Sequence, residues 1–181
     1  MDSINFFEEF GPAAFTAKFR AEGMYNFGPS LSPTNAFHIL QGMETLPLRM
    51  QRYMENTEKM LVFLSQSDAV AWVRHPLRTD HPGHEIAKRM MPRGAGSIIV
   101  FGLKGGREAG RGLLESVELA SYLANVADAQ TLVIHPAITT HSHITAEAMT
   151  QGGLSDAMIR LSVGMEGFDG LRAEFETRFW D

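Results

Sequence analysis

The sequence predicts an α+β protein, in which a four-stranded, mainly antiparallel sheet and helices form a two-layer sandwich preceded by a long helical segment. Three observations lead to this fold class. Apolar residues recur at helical spacing through much of the first 65 residues. Four short apolar runs follow, and helical patterns separate them, as in a sheet covered by helices. The length of 181 residues fits about one domain.

The helical segment is predicted in two parts. In the first part, residues 5–23, the pair Gly11-Pro12 interrupts the apolar spacing. Five phenylalanines crowd this part, and we expect some of them to form an exposed apolar patch: Phe6, Phe7, Phe10, Phe15 and Phe19.

The second part starts at Ser32, a capping residue, with Pro33 at the first helical position. Its pattern runs to about Ser65, and Pro47 should kink or split the helix. Its candidate core residues are Phe37, Leu40, Met43, Met50, Met54, Leu61 and Leu64.

Strands and helices then alternate. The predicted strands cover Val70–Arg74, residues 97–103, residues 131–135 and the alternation around Arg160. The predicted helices cover His84–Met90, Arg107–Leu123 (apolar on one face at Leu113, Leu114, Val117 and Ala120), Ala146–Gln151, and a last helix marked by Leu171, Phe175 and Phe179.

Composition excludes several classes of protein and site. A net charge of −5 argues against non-specific nucleic-acid binding. With no cysteine, the chain has neither disulfides nor thiolate metal sites. It has no apolar run near the ~18 residues that suggest a membrane span. The acidic start, MDSINFFEEF, shows no export signal, so we expect a cytoplasmic protein without a membrane or nucleic-acid partner.

Arg160 stands between the apolar residues Ile159 and Leu161 of a predicted half-buried strand. A cation there pairs either with a carboxylate of the protein or with one from a ligand. The protein candidates are Glu147, Asp156 and Glu166, in surface pairs that would be worth little. Because the guanidinium fork also suits the carboxylate of an amino acid, the pattern leaves the two interpretations even.

Three other motifs are better explained by structure than by chemistry. The histidines of HPAITTHSH lack a recognised metal-ligand spacing, so we predict no metal site. The glycines of FGLKGGREAGRG lack the lysine and hydroxyl of a phosphate loop, which favours a glycine turn. Asn125 and Asp128 follow a predicted helix, where asparagine is a common cap.

Four longer motifs stand in order along the chain. They are FGPAAF (10–15), SPTNAFHILQGMETLPLRM (32–50), LANVADAQTLVIHPAITTHS (123–142) and IRLSVGME (159–166). Together they resemble the C-terminal part of the Cys/Met-metabolism enzymes that use pyridoxal phosphate, over nearly the whole chain. The resemblance implies the C-terminal domain of the type I pyridoxal-phosphate fold, an α+β sandwich that agrees with the pattern.

The resemblance also implies roles for three residues. Arg160 matches the arginine that binds the α-carboxylate of the substrate, Asn125 matches the position whose side chain and backbone assist it, and Thr140 lies where a loop approaches the substrate. One position departs from the family, because its usual glycine in N-V-G-D is Ala127 here. If that position requires a positive φ, alanine would be strained.

The cofactor implied for the complete enzyme is pyridoxal 5'-phosphate, held by a lysine in an S-x-T-K-like stretch. None of the four lysines stands in such a stretch: Lys18, Lys59, Lys88 and Lys104. We therefore expect no catalytic residue here, a helical linker segment over residues 1–66, a substrate-binding domain over 67–181, and an N-terminal cofactor domain supplied in cis or in trans.

The activity that the resemblance implies is a γ-replacement on an amino-acid substrate. Acetate leaves Cγ of O-acetylhomoserine and sulfide or methanethiol adds, which gives homocysteine or methionine. We expect this chain to be inactive alone and part of a homo-oligomer, as family members form tetramers. The alternative is a freestanding, non-catalytic α+β module that binds amino acids or a partner subunit.

Overall fold

The computed structural model describes residues 4–179 and divides the chain into two units, with the boundary between Thr45 and Leu46. The first unit is helical. Its elements are α1 (Phe6–Phe10), a 3-10 turn (Gly11–Ala13), α2 (Ala14–Lys18), a π-helix (Phe19–Met24), α3 (Tyr25–Phe27) and α4 (Pro33–Glu44). The predicted interruption is confirmed, because Gly11 takes a φ of +51° that ends α1. The predicted cap is confirmed too, since the Ser32 hydroxyl accepts from the Asn35 N–H at 3.2 Å.

The prediction that three residues of α4 lie in the core is wrong. Phe37, Leu40 and Met43 are exposed by 56%, 62% and 58%. Helical spacing identifies an apolar face but not a partner for it, and no helix of the first unit buries a residue among those described.

The predicted patch is also exposed, at Phe7, Phe10, Phe15 and Phe19, while Phe6 is partly buried. We call these four exposed phenylalanines the aromatic patch.

The second unit contains the sheet and its helices. Its elements in order are α5 (Leu46–Gln66), β1 (Val70–Arg74), α6 (His84–Met90), β2 (Ile98–Leu103), α7 (Gly106–Ser116), β3 (Leu132–Ile134), a 3-10 turn (Pro136–Ile138), α8 (Ala146–Gln151), β4 (Met158–Ser162) and α9 (Phe168–Arg178). Pro47 occupies the second position of α5, so it splits the predicted long helix at Thr45, as expected.

The sheet has the strand order β1-β2-β4-β3, and its three strand pairs are antiparallel. One face packs against α5, α7 and α9 to form the core. Buried strand residues of this face include Ile99, Phe101, Ile159 and Leu161, and the helices contribute residues such as Leu64, Leu113 and Phe175. A sheet covered by a layer of helices confirms the predicted two-layer α+β class.

Helix α7 is shorter than predicted. It ends at Ser116, and Val117 is extended with a ψ of 140°. The chain leaves the helix because the Glu174 carboxylate on α9 accepts from the N–H groups of Glu118 and Leu119. Residues 117–123 therefore form a connection rather than the last two turns of the predicted helix.

Helix α5 belongs to the same compact unit as the sheet. The functional division after residue 66, with a substrate-binding domain over 67–181, stays a prediction. None of the helices within residues 4–179 has the length and apolar content needed to cross a bilayer.

Candidate carboxylate-binding site

Arg160 lies in the middle of β4, an inner strand of the sheet. Its register partners are Val100 on β2 and Ile134 on β3. Because side chains alternate along a strand, the Arg160 side chain leaves the sheet on the face opposite Ile159 and Leu161. The helices pack on that other face. Arg160 is half-buried, and its guanidinium lies on the face opposite the core that α5, α7 and α9 cover.

The guanidinium of Arg160 has a backbone partner but no carboxylate partner among residues 4–179. Its Nη2 donates to the Asn125 carbonyl at 3.0 Å, and its Nε is buried without a hydrogen-bond partner. Asp156 instead pairs with Arg107 at 3.0 Å, and Glu166 accepts from Thr131. The interpretation of Arg160 as half of an internal ion pair is therefore wrong for the described chain.

The buried, unpartnered Nε–H calls for an explanation, because leaving a buried donor without a partner is costly. The Asn125 carbonyl fixes one side of the guanidinium fork, and no carboxylate of residues 4–179 neutralises its charge. A carboxylate fits this arrangement in shape and in charge.

Asn125 contributes its backbone rather than its side chain to this contact. Its side-chain Oδ1 accepts from the Val126 N–H at 2.8 Å, and its Nδ2 donates to Asp128 at 3.3 Å. The amide is thus engaged in shaping its own loop, which presents the carbonyl to Arg160. The structure brings Arg160 and the Asn125 backbone together, as the resemblance implies, but the implied contact of the Asn125 side chain is not seen among the described residues.

The same loop contains a strained residue. Ala127 has a φ of +59°, and it is the one non-glycine residue with a positive φ in residues 4–179. The conditional prediction of strain at Ala127 is therefore confirmed. Its carbonyl accepts from the Tyr53 hydroxyl at 3.3 Å, a long contact from the buried side chain of α5.

Thr140 lies apart from these contacts. It is exposed, two residues beyond the 3-10 turn that follows β3, and its Oγ1 lies 2.8 Å from Nδ1 of His141. Within the described chain it makes no hydrogen bond to Arg160 or Asn125. Its approach to a substrate stays a prediction.

His135 is fully buried beside this turn. Neither ring nitrogen has a hydrogen-bond partner, and its Cδ2 lies where a Cβ on Gly110 would approach to 3.0 Å. Burial lowers the pKa of His135, while the charge of Asp156 opposes that shift. The ring is therefore a neutral packing element near neutral pH.

The glycine motif fits its structural interpretation, whereas the interpretation of Asn125 as a helix cap is wrong because α7 ends at Ser116. Gly105 and Gly106 have φ values of +102° and +66°, which confirms a glycine turn at the start of α7. No three histidine, aspartate or glutamate side chains within residues 4–179 are grouped so as to hold a metal ion.

Sequence reasoning missed a polar cluster behind the loop, formed by Asn56, Thr131 and Glu166. Glu166 belongs to the motif IRLSVGME, which was a usable signal, but it was considered as a partner of Arg160. Its actual partner, Thr131, is 35 residues away in sequence, and no local pattern connects the two.

Comparison with known proteins agrees with this geometry. The model of the family described as "Cys/Met metabolism PLP-dependent enzyme" matches residues 9–179. The chain belongs to this family. Its curated relatives include proteins named O-acetyl-L-homoserine sulfhydrylase and homocysteine synthase.

Two such relatives are similar over most of the chain. It is 44% identical over 169 residues to O-acetyl-L-homoserine sulfhydrylase 1 of Thermus thermophilus, covering 93% of this chain and 40% of that protein. It is 39% identical over 170 residues to homocysteine synthase of Schizosaccharomyces pombe, covering 94% and 40%.

A solved Campylobacter jejuni structure, described as an O-acetylhomoserine (thiol)-lyase with N'-pyridoxyl-lysine-5'-monophosphate, superimposes with a TM-score of 0.84. It is 32% identical, and the match covers 92% of this chain and 40% of that one. The Cys/Met-metabolism chain thus spans about 40% of the length of these relatives.

The lysines of this chain do not fit the pyridoxal phosphate of the family. All four are exposed. Lys18 and Lys88 lie in surface pairs with Glu22 and Glu85, and the Lys59 ammonium lies 5.7 Å from the ring centroid of Phe168 on the helical side. Within residues 46–179, no contact joins Lys59, Lys88 or Lys104 to Arg160.

Proposed function

We propose that this chain is the substrate-binding, C-terminal part of a pyridoxal-phosphate-dependent transferase. The complete enzyme makes homocysteine from O-acetylhomoserine and sulfide, or methionine from O-acetylhomoserine and methanethiol. The observation that carries the proposal is the Arg160 guanidinium, which is oriented by the Asn125 carbonyl and has no ion pair within residues 4–179. Family membership and relatives named O-acetyl-L-homoserine sulfhydrylase and homocysteine synthase support it.

In this proposal Arg160 binds the α-carboxylate of the amino-acid substrate. A bidentate pair fixes both position and direction of the carboxylate, so the bond to be broken is held in a defined orientation. Asn125 holds the guanidinium through its carbonyl, and Thr140 approaches the substrate from the loop after β3. These residues orient the substrate and do not take part in bond breaking.

The cofactor and its lysine belong, in this proposal, to an N-terminal domain supplied in cis or in trans. The chain then has no turnover alone, and the complete enzyme is a homo-oligomer. The span of about 40% of the relatives' length supports this assignment.

The proposal is tested by assaying homocysteine formation from O-acetylhomoserine and sulfide. We expect no product from the 181-residue chain alone, and robust turnover by that chain would contradict the assignment.

In the complete enzyme, Arg160→Ala should raise KM for O-acetylhomoserine and lower kcat/KM. The lower kcat/KM should correspond to a loss of about 2–5 kcal/mol of transition-state stabilisation, because a bound carboxylate loses its partner. Arg111→Ala is the matched control, since Arg111 is an exposed arginine in a surface pair with Glu115. An unchanged kcat/KM in Arg160→Ala would show that Arg160 does not bind the substrate.

Calorimetry separates this proposal from a freestanding amino-acid-binding module. A freestanding module would bind O-acetylhomoserine tightly as the 181-residue chain, without any partner. We expect the chain alone to bind it weakly, because a substrate site shared with a second domain is only half formed.

A further inference from the structure

The loop that orients Arg160 is closed at its base by Thr131. The Ser121 N–H donates to the Thr131 carbonyl at 2.9 Å, and the Ser121 carbonyl accepts from the Val133 N–H at 3.0 Å. Residues 122–130 therefore leave and return at one point beside β3. The position of Asn125 within that loop depends on how firmly Thr131 is held.

Glu166 holds Thr131 through its carboxylate. One oxygen accepts from the Thr131 N–H at 2.5 Å, and the other accepts from the Thr131 hydroxyl at 2.8 Å. The Thr131 hydroxyl in turn accepts from the Gly164 N–H at 2.9 Å. Thr131 is fully buried, so its polar groups have no water to replace these bonds.

Asn56 on α5 holds the backbone of the segment that contains Glu166. Its Nδ2 donates to the carbonyls of Gly164 and Glu166, each at 2.9 Å, and Asn56 is fully buried. The Met165 N–H also donates to the Ala129 carbonyl at 2.9 Å. The segment after β4 is thus held to α5 on one side and to the end of the loop on the other.

We propose that Glu166 is a positioning residue for carboxylate binding by Arg160. Arg160 is carried by β4, and the carbonyl that orients it is carried by the loop. Glu166 joins the segment that follows β4 to the residue that closes the loop, so it fixes the distance between the guanidinium and the Asn125 carbonyl. The inference rests on the proposed function, in which Arg160 binds the substrate.

Two pairs of variants test this role. Glu166→Ala removes both acceptors, whereas Glu166→Gln keeps an acceptor for the Thr131 N–H and a polar group facing the hydroxyl. Thr131→Val removes the hydroxyl at nearly constant volume, whereas Thr131→Ser keeps it. Thr57→Val is the matched control, because Thr57 is also fully buried and its hydroxyl donates to the Tyr53 carbonyl within α5.

The first readout is the NMR order parameter of the Arg160 Nε–H in the 181-residue chain, without ligand. We expect it to fall in Glu166→Ala and in Thr131→Val, and to stay near the wild-type value in the two conservative variants and in the control. An unchanged order parameter in both disruptive variants would overturn the inference, whatever the function of the chain.

The second readout is kinetics in the complete enzyme. Glu166→Ala should raise KM for O-acetylhomoserine about 10-fold and leave kcat within about 2-fold, since a misplaced guanidinium weakens substrate positioning. In an Arg160→Ala background the same change should have no further effect on KM. Additive effects would contradict positioning through Arg160. If Arg160→Ala itself left KM unchanged, the proposed function would fail, and the order parameter would still decide the role of Glu166.

Discussion

Replacing Ala127 by glycine should stabilise the protein, although a glycine substitution usually does the reverse. Ala127 holds a φ of +59°, in the left-handed region where its Cβ is crowded by the backbone. Its side chain is exposed, so the substitution loses no buried contact. Its carbonyl, which accepts from Tyr53, is a backbone group that glycine retains.

The magnitude follows from two opposing effects. Relief of the left-handed conformation is worth about 1–2 kcal/mol, and the extra freedom of glycine in the unfolded chain costs about 0.4–1 kcal/mol. The difference is a gain of about 0.8 kcal/mol in the free energy of unfolding at the midpoints of the two ranges, with extremes of about 0 and 1.6 kcal/mol. For a chain of this length that gain corresponds to a rise in Tm of about 1–4 °C.

Urea unfolding followed by circular dichroism measures this difference, with Ala124→Gly as the control. Ala124 lies in the same loop, is exposed and has no positive φ, so its replacement should lower stability by about 0.4–1 kcal/mol. The two substitutions are chemically identical and should have opposite signs. A loss of stability in Ala127→Gly as large as that in Ala124→Gly would refute the assignment of strain to Ala127.

Three further predictions concern pH, packing and association. Burial lowers the pKa of His135, so the imidazole binds a proton more tightly in the unfolded chain than in the folded one. The contribution of His135 to stability should therefore be fully present above the ordinary histidine pKa of about 6.5 and be lost as the pH falls below it. The urea midpoint should fall between pH 8 and pH 5, and it should fall less in His135→Gln than in the wild type. In the exposed control His143→Gln the fall should equal that of the wild type. Gly102→Ala should lower the free energy of unfolding by about 1–3 kcal/mol, because the added Cβ would lie 2.5 Å from the Trp72 indole nitrogen. The control is Gly112→Ala on α7, where the added Cβ meets nothing within 4 Å, so this variant should be neutral or stabilising. The aromatic patch should make the 181-residue chain self-associate and bind a hydrophobic dye, and serine substitutions across the patch should reduce both; a clean monomer in sedimentation that binds no dye would contradict this.

Local chemistry in the sequence predicted much of the fold. Ser32-Pro33 starts a helix by capping and by the fixed φ of proline, and Pro47 ends the continuity of the long helical pattern. The end of α7 could not be predicted in this way. Residues 117–123 follow a helical pattern, but Glu174, more than 50 residues away, accepts from the backbone N–H groups of Glu118 and Leu119 instead.

The exposed apolar face of α4 shows a different limit. Periodicity correctly placed Phe37 and Leu40 within a helix, but burial depends on a second surface, which the first unit does not provide. Periodic spacing therefore predicts which residues share a face more reliably than it predicts that the face is covered.

The site shows the same division between local and distant information. Arg160 was identified because a cation in an apolar strand conflicts with its immediate neighbours. Ala127 was identified because the family that the chain resembles has a glycine at that position. Glu166 conflicts with nothing nearby, and its role depends on Thr131, a contact that only the folded chain creates.

The hydrogen bonds that hold residues 122–130 explain why this loop tolerates strain at Ala127. Its two ends are fixed at Thr131, and its middle is tied to α5 by the Tyr53 hydroxyl. A loop held at three points can keep one residue in an unfavourable conformation, since relaxing that residue would break buried hydrogen bonds elsewhere. The strained conformation and the polar cluster behind it then serve the same end, which is to keep the Asn125 carbonyl within 3.0 Å of the Arg160 guanidinium.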